Sequence, residues 1–251
     1  MREPEKLALS RYLDFDENVP EAKEIDLLLR YSRKYNARSA DIYGLRTYGS
    51  EVVSHQRLYD RCENLWSVLR NLKERRDWGK TEYDTVIQFM KQGFPSFDGL
   101  ALESIGASSV YGNFIEKYHR EPIRASGVSD GHLQLLMHLT ALFSEGTRVN
   151  LILLDEPETS LHPYALSVLA EAIEEAVTNW NKQVFIATHS PVLMSQFDTD
   201  CVIASKVGSF GQTEIERVSE MHGIQDLLSD YALGALYMSE LIAPQSKLEF
   251  I

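Results

Sequence analysis

Two short apolar runs in the second half of the chain each end in residues that can do chemistry. Leu151, Ile152, Leu153 and Leu154 lead into Asp155 and Glu156, and Val184, Phe185, Ile186 and Ala187 lead into Thr188 and His189. Continuous apolar tetrads read as buried strands, Val149 to Leu154 and Val184 to Ala187. The stretch between them, Pro163 to Asn179 with Leu166, Leu169, Ala170, Ile173 and Val177, reads as a helix. Strand, helix and strand make a βαβ unit, hence a parallel sheet whose carboxyl edge collects both terminal pairs. Two acids on such an edge divide labour: the first holds a magnesium ion, directly or through water, and the second polarises an attacking water. Acids also cap helices after strands, but Thr159 and Ser160 stand nearer the helix at Pro163, and either hydroxyl is expected to be its N-cap.

Upstream, Ser126-Gly127-Val128-Ser129-Asp130-Gly131 runs into an apolar helix containing Leu133, Leu135, Leu136, Leu139 and Leu142. A loop of small residues opening a helix presents unpaired backbone N–H groups and the positive end of the helix dipole, which suits a phosphate. Ser, Asp and Gly also open very many helices that bind nothing, so the loop by itself decides little.

The elements that must position these residues are legible more coarsely. Residues 1–20 read as a polar lead-in. Within it Asp14, Asp16 and Asn18 imitate the start of a calcium loop, but Val19 stands where glycine is needed and Ile25 where glutamate is needed. Helices are expected over Glu21 to Tyr35, Asn64 to Arg76 and Tyr83 to Gln92, and Gly93, Pro95 and Gly99 then break the chain. Alternation over Leu100 to Ile105 and Ser109 to Tyr118 suggests a hairpin. Val202 to Lys206 and Thr213 to Val218 read as two further strands, with a closing helix from Ile224. The division expected is a lead-in over 1–20, a helical and small-β lobe over 21–125, and an α/β core over 126–251.

Of the 251 residues 44% are hydrophobic, 10% aromatic and 25% charged, which excludes disordered and fibrous classes. The longest apolar runs fall far short of the ~18 residues that span a bilayer, and Met1 to Leu13 lacks the apolar stretch of a secretory signal. Cys62 and Cys201 are isolated, which excludes a disulfide-framed scaffold and a cysteine-rich zinc site and makes a reducing cytoplasm the default. The net charge of -12 is uneven: residues 151–251 carry 15 acids and 4 bases, leaving 22 acids and 21 bases before them, so no basic nucleic-acid face stands out. Two basic stretches, Arg30, Arg33, Lys34 and Arg38, then Arg70, Lys73, Arg75, Arg76 and Lys80, read as solvated helix faces, with a local phosphate-backbone contact as the alternative.

Taken in order, Ser129-Asp130-Gly131-His132, the strand ending in Asp155-Glu156-Pro157-Glu158, then Ser160-Leu161-His162-Pro163, then Thr188-His189-Ser190-Pro191 resemble the C-terminal half of an ABC-type ATPase, in the RecF/SMC-like branch of the AAA family ATPases. The resemblance runs from about residue 40 to the end and takes in Asn64 to Leu72, Gly93 to Phe97 and Asp230 to Gly234 with Tyr237 and Ser239. It implies an α/β fold, a partial P-loop NTPase sheet with flanking helices and a helical/β lobe. It also implies ATP and Mg2+ as cofactors. By the same resemblance Asp155 and Glu156 are the Walker B acids, one positioning magnesium and the other acting as general base. Ser160 and His162 lie in the D-loop, and His189 senses the γ-phosphate. Ser129, Asp130 and Gly131 occupy the signature motif, where Ser129 and Gly131 touch nucleotide held by a second head and Asp130 replaces a glycine.

One departure matters. The family's GxxxxGK[ST] loop, whose amides and lysine hold the phosphates, is not found. Gly79-Lys80-Thr81 ends correctly, but Glu74 stands where the first glycine is required, and Lys73 to Trp78 continues a charged helix. No Walker A strand or Q-loop is recognised either, so the chain reads as a truncated C-terminal portion. The partners implied are a second copy in a homodimer or a complementing N-terminal ATPase lobe, with DNA or a defence-system protein beyond it and no membrane. DNA repair and phage defence both stay open. The non-enzymatic alternative is a truncated or split-gene module that presents its signature loop to a partner head. A metallohydrolase built on Asp155, Glu158, His162 and His189 would draw ligands from distant loops without HExxH-type spacing. Too few residues follow His189 for an added nuclease domain.

Overall fold

The computed structural model describes residues 19–75, 82–146, 151–208 and 210–243. Residues 1–18 of the lead-in with Asp14, Asp16 and Asn18, Arg76, the Gly79-Lys80-Thr81 stretch and the start of the strand at Val149 lie outside them.

Helix α1 (Pro20–Arg30) opens with proline at its first turn and ends at Tyr31. The chain then turns into strand β1 (Ser32–Asn36), where a helix was expected to continue to Tyr35. Of that helical stripe Ile25, Leu28 and Leu29 stay half-exposed, while Tyr35 enters the core from a strand. Long-range pairing has overridden a weak local pattern. A 3-10 turn (Ala37–Ser39) follows, capped by the Asn36 side chain, then helix α2 (Ile42–Thr47) with Asp41 as its N-cap. Strand β2 (Ser50–Glu51), helices α3 (Leu65–Glu74) and α4 (Glu82–Gly93), the hairpin β3 (Phe97–Ile105) and β4 (Ser109–Glu116), and β5 (Ile123–Arg124) come next. The second half contains α5 (Asp130–Phe143), β6 (Leu151–Asp155), α6 (Pro163–Asn179), β7 (Gln183–Ala187), α7 (Pro191–Met194), β8 (Ile203–Val207), β9 (Thr213–Arg217), α8 (Ile224–Leu228) and α9 (Leu233–Met238). The closing helix is thus two short ones.

The fold is α/β. A parallel sheet in the order β1-β6-β7 aligns Asn36, Asp155 and Ala187 in one row at its carboxyl edge. An antiparallel sheet places β4 between β2 and β3, and β8 pairs with β9 as a separate ribbon. Helix α5 is buried along nearly its whole length, which is why its apolar residues do not form a single stripe. It packs on α4 and α6. Gly93, at the end of α4, permits the close approach: a Cβ there would stand 2.5 Å from Leu135 Cδ2. A single apolar core runs from Tyr35 to Ala176, so the segments expected as lobe and core share it, and a smaller cluster around Val218, Ile224 and Leu236 underlies the C-terminal elements.

Several residues of the basic stretches are tied into the fold. Arg33, on the strand, is buried and donates to both carboxylate oxygens of Glu145 at 2.8 and 3.0 Å. Arg70 donates to Ser104 Oγ at 3.1 Å, Lys73 to the Leu100 carbonyl at 3.1 Å and Arg75 to Glu82 at 2.9 Å, so α3 is tied to its neighbours by charged tips on apolar stems. Among the described residues no helix is long and apolar enough to cross a membrane, and both cysteines are free.

Candidate functional site

Strand β6 ends on Asp155, and the next residue leaves it at an unusual angle: Glu156 has φ +49° and Ser160 φ +63°, left-handed conformations that cost a non-glycine residue roughly 1–2 kcal/mol. The turn is held by several bonds. Glu156 N donates to the Ala187 carbonyl at 2.8 Å, Thr159 reaches the Glu156 carbonyl with both its N–H (3.2 Å) and its hydroxyl (2.9 Å), and Leu161 N donates to the Glu158 carbonyl at 3.0 Å. Beneath it, on α5, His138 is buried and bonded to the Pro157 backbone; burial pushes its imidazole down to about 4, so it is neutral at pH 7.

The two acids are occupied by one neighbouring segment. Asn36 Nδ2 donates to Asp155 Oδ2 at 2.8 Å, Lys34 Nζ lies 3.5 Å from the same oxygen, and the Arg38 guanidinium ion-pairs with Glu156. Asn36 is itself oriented, because its Oδ1 accepts from the N–H groups of Arg38 (2.9 Å) and Ser39 (3.2 Å). From the sequence Lys34 and Arg38 read as part of a solvated basic helix face with a local phosphate-backbone contact as the alternative, Asn36 had no role, and no Q-loop was recognised. Had Ser32–Asn36 been read as a strand, the spacing Lys34, Asn36, Arg38 would have put two of them on one face and the third just past its end.

Strand β7 brings His189 to the same edge. Its backbone N–H donates to Glu158 Oε1 at 3.0 Å, and its Nδ1 lies 3.2 Å from the Tyr237 hydroxyl on α9. His162 is the N-cap of α6, its Nδ1 accepting from Tyr164 N at 3.3 Å. The expected cap, Thr159 or Ser160, is displaced because Thr159 is turned back onto Glu156 and Ser160 is in the left-handed turn.

The signature-like loop is a second cluster. Ser129 holds the N-cap position of α5 without a capping bond, and its hydroxyl lies 2.9 Å from His132 Nδ1. Asp130 pairs with Arg46 Nη1 at 2.8 Å, while Arg46 Nη2 donates to the Val128 carbonyl at 2.6 Å, so one arginine that the sequence reading missed braces both ends of the loop. Gly131 abuts the turn after β6: a Cβ there would stand 2.7 Å from the Ser160 carbonyl oxygen. His132 stacks on Phe94 with ring centres 3.7 Å apart, and burial lowers its pKa against the opposing pull of Glu116.

Asp155, Glu158, His162 and His189 do not converge, and among the described residues no group of three or more His, Cys, Asp or Glu side chains is placed to hold a metal. A magnesium ion serving phosphoryl transfer needs only one or two carboxylates, with phosphate and water completing its shell. Asp155, Glu156 and the Asn36 amide at one sheet edge fit that demand.

Residues 1–195 match the family described as an AAA domain, putative AbiEii toxin, type IV toxin–antitoxin system. The chain belongs to this AAA family. The resemblance drawn from the four motifs is thereby borne out at the level of the family. Among curated proteins, 144 residues are 25% identical to Protein ea59 of Escherichia phage lambda, covering 57% of this chain and 26% of that protein, so the chain spans about a quarter of this relative's length. Two solved structures are similar at low identity. One, from work on ATP-driven dimerization and DNA-stimulated activation of SMC ATPases, is 15% identical over 58% of this chain and 88% of its own, with a TM-score of 0.44. The other, an SmcHead bound to the C-winged helix domain of ScpA, is 14% identical over 70% of this chain and 52% of its own, with a TM-score of 0.47.

Proposed function

We propose that the carboxyl edge of the β1-β6-β7 sheet is the metal and water side of an ATP-hydrolysing site. The observation that carries this reading is the row formed by Asn36, Asp155 and Ala187, with Glu156 and His189 directly beyond it. In an open parallel sheet this is where ligands sit. Asp155 would hold Mg2+, with Asn36 oriented beside it, and Glu156 would accept the proton of the attacking water. His189, steadied by Glu158 and Tyr237, would hydrogen-bond the terminal phosphate. Magnesium-bound ATP, when present, supplies the electrophilic phosphorus and neutralises charge developing on the phosphate oxygens. Ser129 and Gly131 would serve a second head in trans, with Asp130 held out of the way by Arg46. The phosphate cradle would come from a complementing lobe or from residues beyond those described. The family description and the phage relative support a setting in phage–host conflict, with DNA repair as the alternative.

The test is Glu156→Gln in a complemented or complete head. The substitution keeps size and polarity but cannot take the proton, so turnover should fall by roughly 10²–10⁴ while ATP binding persists, and the variant should accumulate as an ATP-bound dimer. Ser129→Arg should block the dimer and leave the head's own pocket intact. Hydrolysis by Glu156→Gln at the parental rate would remove Glu156 from the mechanism and leave it only a strand-end acid.

A further inference from the structure

Three polar groups from one five-residue stretch, Lys34, Asn36 and Arg38, all engage the acid pair, and they differ in how firmly they are held. Asn36 is partly buried and fixed at both ends of its amide. Arg38 is 72% exposed and Lys34 65% exposed, whereas their partners Glu156 and Asp155 are 26% and 31% exposed. The cations are therefore long arms reaching in from solvent to carboxylates that stay in place. An ion pair with so exposed a partner is weak, and among the described residues Arg38 makes its contact without a backbone anchor for its guanidinium. A guanidinium also matches phosphate oxygens as well as it matches a carboxylate.

We propose that Arg38, with Lys34 beside it, is a two-position phosphate ligand: at rest it occupies the Glu156 carboxylate, and an arriving polyphosphate draws it away, which binds the anion and frees the carboxylate in the same movement. The inference rests on the nucleotide reading of this edge and adds to it a positioning residue and a resting state. Its chemical logic is competition. A polyphosphate carries several negative charges where Glu156 carries one, so the guanidinium has more to gain from the ligand than from the resting pair. In the resting pair the Arg38 guanidinium lies against Glu156 Oε2, on the side from which a ligand or water would approach the carboxylate.

Two effects of opposite sign should follow, read on the chain as it stands with tripolyphosphate as the probe, in excess magnesium chloride at low salt. Arg38→Gln should weaken binding roughly fivefold, the worth of one unit-charge contact at 4 Å in a water-like medium. Arg38→Lys should recover most of that loss. Glu156→Gln should tighten binding by a similar factor by releasing Arg38, and the gain should vanish in the Arg38→Gln, Glu156→Gln double variant. The Arg38 Nε–Hε resonance, assigned by its loss in Arg38→Gln, should move on addition of the probe and should already be shifted in Glu156→Gln without it. The inference is overturned if wild-type protein shows no binding into the millimolar range, if Arg38→Gln binds as wild type does, or if the gain from Glu156→Gln persists without Arg38, since that would be relief of simple charge repulsion. None of these results touches the Glu156→Gln turnover test in a complemented head, so the two readings fail separately.

Discussion

His138 offers a measurement on the link between the buried helix α5 and the turn that carries the acids. Burial holds its imidazole near a pKa of about 4, against an ordinary value near 6.5, with the bond to the Pro157 backbone pulling weakly the other way. Between those two values the unfolded chain takes up a proton that the native protein refuses. Stability contributed by the neutral histidine is therefore intact above pH 6.5 and declines as the pH falls toward 4, with a slope of about 1.4 kcal/mol per pH unit. From pH 7 to pH 5 this group alone should cost about 2 kcal/mol. His138→Gln keeps a side-chain N–H for Pro157 but does not titrate. Urea unfolding of both proteins at the two pH values should show the variant less stable at pH 7 and the gap between them closing by about 2 kcal/mol at pH 5. Other titratable groups are common to both proteins and cancel in the comparison. A gap that stays constant from pH 7 to pH 5 would mean that His138 is not held neutral, and the tight seating of α5 beneath Pro157 would be wrong with it.

Other expectations follow from single contacts. Gly131→Ala should destabilise by roughly 1–3 kcal/mol, because its Cβ would stand 2.7 Å from the Ser160 carbonyl oxygen; a thermal melt showing the modest gain that alanine normally brings to a helix would refute the contact between signature loop and turn. Arg33→Met should cost roughly 2–3 kcal/mol, less than a fully isolated buried charge, because Glu145 keeps the influence of Lys182 nearby. Adding Glu145→Leu should recover much of that loss in urea unfolding. Among the described residues strand β7 is paired by β6 on one side only, and Phe185 on it is half-exposed. The chain should self-associate through that strand, and Phe185→Lys should reduce the association seen by light scattering.

The two strands that matter most, β6 and β7, were legible because each contains an unbroken apolar tetrad running to its carboxyl end, and because the helix between them has a clear period. That local information suffices to bring Asp155, Glu156 and His189 to one edge, since parallel register follows from the βαβ connection. Strand β1 was not legible. Its residues Ser32–Asn36 alternate about a single buried tyrosine and follow a helix whose apolar spacing continues to Tyr35, and nothing within the segment states that it will lie against β6. Only that pairing, across 119 residues of sequence, turns Arg33 inward to Glu145 and sets Asn36 on Asp155. The cap of α6 was decided in the same way: Thr159, Ser160 and His162 are all competent, and the tertiary bonds that turn Thr159 back onto Glu156 leave His162 to cap. Apolar periodicity fixes which residues must be buried together, a property of neighbours in the chain; which polar groups meet at the site depends on packing between segments far apart in sequence, and that is settled only when the sheet closes.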